Sequence, residues 1–476
     1  MNCVANYLNS DFCRDERPAI TFFKGLKSLD DPRKNITFNQ LTKNVSKAQK
    51  ELKRLGLKRG DTILIFEAPS PDMYAMIIAM LASGVKLLLV EPWMPLSNIE
   101  KILRDVKPQA FMTGLIGRAW AMRSKELRQI KKKFNSSALH NHSEGKIVVE
   151  DMKEEEEAVL TFTSGTSGNP KGVHRKHQYL VDQAEVLKKH LHYDENQGMD
   201  LTIFTNVTLL NLGMGKGSLL IPGSWRSSTL SQLDRLPPEF RPDTLAAGPG
   251  FLKTLMKHAK VESLRSLHLG GALADTKIYE RAFGAWPKAN FTHVYGSSEA
   301  EPVSLSDLKV AVQKSKDAGL FQTLFLGNPI DDVQLTERAG TLWVHGPHVS
   351  PEYQGDIMAN KMNKFKDEDG KLWHNMGDRI EIKDDGLWYR GRDFQQLKDF
   401  QQEQSIYCKL GHSKCFIHRT GSGKKVLVGE LSNHDVSVCS DFKFNSFIKA
   451  RIIRDKRHKA RIDRNKTLKK AGHAIN

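Results

Sequence analysis

The run Leu160-Thr-Phe-Thr-Ser-Gly-Thr-Ser-Gly-Asn-Pro-Lys-Gly-Val173 constrains the fold more than any other stretch of this chain. Between Thr163 and Gly172 it holds four hydroxyl residues, three glycines and one lysine. Glycine lets backbone N–H groups turn inward and approach an anion closely. Thr163, Ser164, Thr166 and Ser167 add donors beside Gly165 and Gly168, and Lys171 adds charge. The preceding Ala158-Val-Leu-Thr-Phe162 reads as a short buried strand, so the loop falls at a strand end, where α/β folds place ligands. Such a loop suits a polyphosphate. An ordinary Ser/Gly/Pro turn explains three or four of these residues, but not an unbroken compatible run. It is not a Walker A loop either: Lys171 is flanked by Pro170 and Gly172, so no Gly-Lys-Ser/Thr places a hydroxyl on magnesium.

A chain of 476 residues suits one large domain with a smaller one. Its 39% hydrophobic and 27% charged residues are those of a globular protein. The most membrane-like segment, Met73 to Val90, is broken by Gly84 and Lys86 and reads as a helix followed by a strand. No integral membrane segment is expected. The N-terminus carries Asp11, Arg14, Asp15 and Glu16 where a signal peptide would be apolar, which favours a cytoplasmic protein.

Five cysteines argue against a disulfide framework. Cys408, His412, Cys415 and His418 lie near one another in sequence, but Cys415-Phe-Ile-His-Arg419 alternates as a strand. It leads through Gly421-Ser-Gly423 into Lys424-Lys-Val-Leu-Val-Gly429, so a hairpin explains them better than a zinc site. The net charge of +17 is concentrated partly in residues 451–476, which hold ten Lys or Arg against Asp455 and Asp463. No aromatic residues interleave with these charges and no nucleic-acid motif accompanies them. An anionic substrate and a solvated basic face are therefore the expectation, with no nucleic-acid partner.

Apolar strands alternate with amphipathic helices through the first half: Thr62–Phe66, a helix near Tyr74–Ala82, Val85–Val90, and a helix near Ile99–Val106. Strands near 200–204, 219–221, 267–269 and 292–294 continue this βαβ rhythm. Residues 131–157 are polar and charge-rich and read as an exposed connection. Gly213-Met-Gly-Lys-Gly217 lacks the spacing of a dinucleotide fingerprint and reads as a helix-to-strand turn.

The loop from Thr163 to Gly172 resembles the signature of the AMP-forming acyl-activating enzymes: acid–CoA ligases, peptide-synthetase adenylation domains and luciferases. Further segments agree in order. Gly270-Gly-Ala272 resembles the segment that runs along the acyl-adenylate, and Tyr295-Gly296-Ser-Ser298-Glu299 the family's Tyr-Gly-x-Thr-Glu. The resemblance implies that Tyr295 offers a flat face to adenine, Ser298 a hydroxyl to phosphate, and Glu299 an oxygen ligand to Mg²⁺. Asn375-Met-Gly-Asp378 matches a Thr-Gly-Asp whose carboxylate holds the ribose hydroxyls, and Arg392 closes the large domain as a second ribose or phosphate contact. Asp378 could otherwise be a turn residue before the strand Arg379–Ile382.

The implied fold is α/β, with a large multi-sheet N-terminal adenylation domain over residues 1–392 and a small, shortened α+β C-terminal domain over residues 393–476 on a hinge. The implied reaction activates a carboxylic acid with ATP and Mg²⁺ to acyl-AMP, releases pyrophosphate, and passes the acyl group to CoA. Details such as Phe204, Asn211-Leu-Gly-Met-Gly215 and Asp455-Lys-Arg-His458 resemble fatty-acyl ligases and olefin β-lactone synthetases, which points to an apolar acid. Two alternatives stay open: an acyl-AMP ligase that serves an acyl carrier protein or closes a β-lactone, and a catalytically impaired nucleotide- or acyl-binding protein.

The small domain departs from the family pattern. The hinge position falls on Phe394, with Asp393 one residue early, and the expected glycine loop reads Leu397-Lys-Asp-Phe-Gln-Gln402. The C-terminal catalytic lysine aligns with Arg461; Lys459 and Lys466 are the other candidates.

Overall fold

The computed structural model describes residues 1–91, 94–163, 170–191, 198–221, 225–455 and 461–472. Their contacts define two compact units. One comprises Met1–Ala246, Ser298–Glu301 and His345–His374; the other comprises Ala247–Ser297, Pro302–Val344 and Asn375–Asn476.

The first unit is built on a seven-stranded sheet in the order Tyr353–Gln354, Lys171–Lys176, Glu157–Thr163, Lys86–Val90, Thr62–Phe66, Ala110–Thr113 and Lys132–Phe134. The last five strands are parallel, while Lys171–Lys176 turns back antiparallel on Glu157–Thr163. The strands are apolar on both faces because both are covered. Ile63 and Ile65 point to helices Phe38–Arg54 and Pro71–Ala82, whereas Leu64 joins the opposite core with Ile99, Ile102, Leu103 and Leu127. Local signals start the first two helices: Thr37 and Gln40 form a capping box, and Ser70 caps the next helix with Pro71 in its first turn.

A second run of strands in this unit orders Asn35–Thr37, Pro18–Phe22, Ser218–Leu220, Met199–Thr202 and Pro242–Ala247. Gly213 to Gly217 is the helix-to-strand turn anticipated, between helix Thr205–Gly213 and strand Ser218–Leu220. The connection over residues 131–157 is more ordered than its polarity suggested. Lys132–Phe134 adds a strand beside Ala110–Thr113, and Phe134 and Leu139 are buried in the core. Two apolar side chains outweigh the composition of the whole segment.

In the second unit, Ser266–Gly270 lies parallel to Asn290–Ser297. Phe325–Pro329, Gly386–Arg392 and Asp378–Lys383 follow one another as antiparallel neighbours. Beyond Arg392 the chain forms helix Leu397–Leu410, the hairpin Cys415–Arg419 with Lys425–Gly429, the strand Ser446–Lys449 and helix Arg464–Lys470. The hairpin is the one expected from the alternation, and Cys415 and Cys439 are buried in the core behind it.

The segment Leu397–Gln402, expected as a loop, is instead the start of helix Leu397–Leu410. Phe400, Ile406 and Tyr407 bury one side of that helix, and Asp399 receives two hydrogen bonds from Arg419 at 2.6 and 2.8 Å. Among the described residues no helix is long and apolar enough to cross a membrane.

Candidate active site

Parallel strands deliver their polar residues to one end, and the second unit uses this arrangement. Gly270 is paired with Val294, where a Cβ at Gly270 would lie 2.5 Å from the Val294 carbonyl oxygen. Glycine is therefore required for the strands to sit this close. Gly271 follows at φ +82°, and its carbonyl accepts a hydrogen bond from Arg461 Nη2 at 2.8 Å. Arg461 is held through its backbone, which exchanges bonds with Asp455.

Beside Gly270, the strand Asn290–Ser297 carries Tyr295, whose hydroxyl donates to Asp378 Oδ2 at 2.8 Å. Arg392 Nε stands 3.1 Å from Asp378 Oδ1 as an ion pair, without hydrogen-bond geometry. Strand pairing sets this contact, because Asp378 and Arg392 are register partners. Asp378 is only 5% exposed. Burial raises its pKa above the ordinary carboxylate value, while Arg392, the Tyr295 bond and Arg461 oppose that shift. The buried Oδ1 thus keeps acceptor capacity that no described residue fills. That is the chemistry a ribose hydroxyl would satisfy, so these residues fit a nucleoside.

The first unit holds a second cluster. Tyr353 donates its hydroxyl to Glu299 Oε1 at 2.9 Å, and two ammonium groups lie over its ring, Lys171 Nζ at 5.3 Å and Lys364 Nζ at 5.4 Å from the centroid. The His374 ring meets Tyr353 edge-on at 6.3 Å. The backbone around Glu299 is clamped: Arg175 donates to the Ser298 carbonyl at 2.6 Å, Ser350 N to the Glu299 carbonyl at 2.7 Å, and Gln183 to the Glu301 carbonyl at 2.9 Å. Burial alone would raise the Glu299 carboxyl, but His374, Tyr353 and Lys364 outweigh it and hold the carboxyl below its ordinary value. Burial pushes the Lys364 ammonium down to about 7, against the attraction of Glu299. It pushes His374 down to about 3, helped by Lys364. An ionised, fixed carboxylate with hard oxygen donors fits Mg²⁺.

The described residues singled out in the sequence fall into two groups, one in each unit. Tyr295, Asp378, Arg392, Gly271 and Arg461 meet in the second unit, while in the first the Tyr353 hydroxyl bonds Glu299 and its ring lies under Lys171. Lys171 is the first residue of the strand Lys171–Lys176, paired with Thr163 across the hairpin. Ser164, Gly165, Thr166, Ser167 and Gly168 lie outside the described residues, as does Lys459. Ala272, Gly296 and Ser298 follow or join the strand ends and are partly exposed. Lys466, the other substitute for the catalytic lysine, is paired with Asp463 at 2.6 Å within its own helix. Tyr353, Lys364, His374 and Arg175 were not anticipated. A glutamate and a tyrosine 54 residues apart carry no pattern that announces their bond.

Residues 13–354 match the AMP-binding enzyme family. An olefin β-lactone synthetase of Xanthomonas campestris is 23% identical over 379 residues, covering 71% of this chain and 68% of that protein. A peroxisomal OPC-8:0-CoA ligase of Arabidopsis thaliana is 20% identical over 381 residues, covering 74% and 69%. The fold is also that of the o-succinylbenzoate CoA synthetase of Bacillus subtilis solved with ATP and a magnesium ion. That structure has a TM-score of 0.76 at 18% identity, over 98% of this chain and 99% of the other.

Proposed function

Because the chain belongs to the AMP-binding enzyme family, we propose that it activates a fatty or otherwise apolar carboxylic acid with ATP, giving acyl-AMP and pyrophosphate. The observation that carries this reading is the buried Asp378 carboxylate, anchored by Tyr295 and Arg392 with Oδ1 still able to accept a hydrogen bond.

Each residue has a task its surroundings support. Asp378 accepts from the ribose hydroxyls, and Arg392 holds the carboxylate in place and opposes the effect of burial on it. The Tyr295 hydroxyl bond fixes the ring, so that its face can lie against adenine. Lys171 screens phosphate charge, together with the hydroxyls and glycines of residues 163–168. A Mg²⁺ ion held by Glu299 would supply further charge neutralisation as pyrophosphate leaves. Arg461 brings a positive charge beside Gly271, where the family resemblance puts the acyl-adenylate. The attacking carboxylate needs little activation, so positioning and charge screening supply most of the rate.

Transfer of the acyl group to CoA is the second half of the proposal, with residues 393–476 as the mobile domain that serves it. The similarity to a CoA ligase supports this step. The similarity to an olefin β-lactone synthetase favours a second reading, in which an internal hydroxyl takes the acyl group. The helix at Leu397–Leu410, in place of a glycine loop, supports that second reading as well.

A panel of acids assayed for pyrophosphate release and for CoA thioester tests both halves. Pyrophosphate with thioester supports the ligase; pyrophosphate without it supports lactone formation or transfer to a carrier. Tight ATP binding with no acid-dependent pyrophosphate release would overturn adenylation and leave a nucleotide-binding protein.

A further inference from the structure

Helix Leu115–Arg123 presents apolar side chains to solvent instead of to the core. Leu115, Arg118, Ala119 and Met122 fall at positions i, i+3, i+4 and i+7 and are all exposed, Leu115 by 84% and Met122 by 72%. The opposite side is already occupied: Ala121 is buried in the core, and Trp120 stacks on Phe66 at 4.8 Å. The outward stripe is therefore not a packing surface that the first unit needs. Two long apolar side chains on one exposed stripe keep a hydration cost that a covering phase would remove.

The stripe sits in a strongly basic layer. Helices Leu96–Val106, Leu115–Arg123 and Lys125–Gln129 cover one face of the seven-stranded sheet through a single core, and Arg104 ties the first to Glu126 of the third at 2.7 Å. Residues 96–133 carry ten Lys or Arg against three Asp or Glu. Lys101, Arg118, Arg123, Lys125 and Arg128 are all exposed. Basic charge around a short stripe of Leu and Met is the composition of an interfacial helix, in which cations meet anionic headgroups and apolar tips enter the acyl boundary. The exposed part of this helix carries no aromatic ring for stacking bases, which separates it from a nucleic-acid surface.

We propose that the outer face of these three helices, centred on Leu115 and Met122, docks the protein on an anionic lipid bilayer. The proposed surface uses none of the residues assigned to adenylation, and the proposal stands whichever acid is the substrate.

Vesicle flotation of the full chain tests it, with pure phosphatidylcholine compared against equal phosphatidylcholine and phosphatidylglycerol. The chain should float with the anionic vesicles and not with the zwitterionic ones, and flotation should fall several-fold from 50 to 500 mM salt. Leu115→Ser with Met122→Ser, and separately Arg118→Glu with Arg123→Glu, should each reduce anionic binding at least fivefold. Both pairs should leave the melting temperature and acid-dependent pyrophosphate release with a water-soluble acid unchanged. Absence of flotation with anionic vesicles would overturn the proposal, as would undiminished binding by both variants. A lipid-free dimer that the Leu115→Ser/Met122→Ser variant abolishes would also overturn it, because a second copy would then cover the stripe.

Discussion

Asp378 accepts a 2.8 Å hydrogen bond from Tyr295 at one carboxylate oxygen and faces Arg392 at 3.1 Å with the other. The two partners come from different places in the chain, one from the end of a parallel strand and one from the antiparallel neighbour of Asp378 itself. A turn aspartate would be solvated; this one is buried and retains an acceptor site.

Replacing Asp378 by Ala should weaken ATP binding by one to two orders of magnitude, since a hydrogen bond to a charged group contributes about 1.5–3 kcal/mol. Calorimetry measures the change. An ATP analogue lacking a ribose hydroxyl should bind the wild type more weakly than ATP does and should discriminate less against the variant. Unchanged ATP affinity would leave Asp378 with only a structural task.

Lys171→Ala and Glu299→Ala should each lower acid-dependent pyrophosphate release at least tenfold, about 1.4 kcal/mol of transition-state stabilisation. Near-wild-type release from both would remove the phosphate and metal assignments. A melting temperature that falls together with the rate would indicate a loss of folding instead.

Tyr353→Phe removes one hydroxyl and keeps the ring against Lys171 and Lys364. Glu299 should stay near its site but lose the 2.9 Å bond that aims it. The Mg²⁺ concentration for half-maximal pyrophosphate release should rise several-fold, with a smaller fall in rate at saturating Mg²⁺. A purely structural role for Tyr353 predicts no shift in the Mg²⁺ dependence.

Arg461→Ala should slow adenylation while sparing thioester formation from supplied acyl-adenylate. Arg461→Lys should keep much of the first step, because a compact ammonium can carry the same charge. Lys466→Ala should have little effect, given its pairing with Asp463. Abolition of adenylation by Lys466→Ala, with none by Arg461→Ala, would show that the tail acts in a different register.

The pair His174 and Glu157, 2.5 Å apart, should make stability depend on pH at both ends. The close approach of His174 is the largest influence on Glu157 and lowers that carboxyl to about 2, despite the opposing effect of burial. A depressed carboxyl stabilises the fold above its unfolded value of 4.5, and this contribution is lost as pH falls toward 2. His174 is raised above 6.5: burial opposes the shift, and the closeness and charge of Glu157 overcome it. Its contribution is complete below 6.5 and is lost as pH rises through the raised value. The difference in melting temperature between wild type and Glu157→Gln should therefore be largest near pH 5–6 and shrink toward pH 2.5 and pH 9. A difference that does not vary with pH would assign Glu157 a packing role alone.

Local sequence determined much of this protein. The apolar runs at Thr62–Phe66 and Lys86–Val90 read as strands, and the alternation from Cys415 reads as a hairpin edge, as the structure has them. Ser70-Pro71 and Thr37 with Gln40 start helices because side chain and backbone close on each other within one turn. Asp378 and Glu299 were legible as candidates because their neighbours in sequence resemble a known motif. Tertiary structure alone decided what those carboxylates touch. Tyr353 reaches Glu299 across 54 residues, and Arg461 reaches Gly271 across 190. No local pattern encodes such meetings, because they depend on which strands pair and in which register. The segment at Leu397 shows the same limit: a missing glycine was visible in the sequence, but the helix that replaces the loop follows from Phe400, Ile406 and Tyr407 finding a sheet to cover and Asp399 finding Arg419.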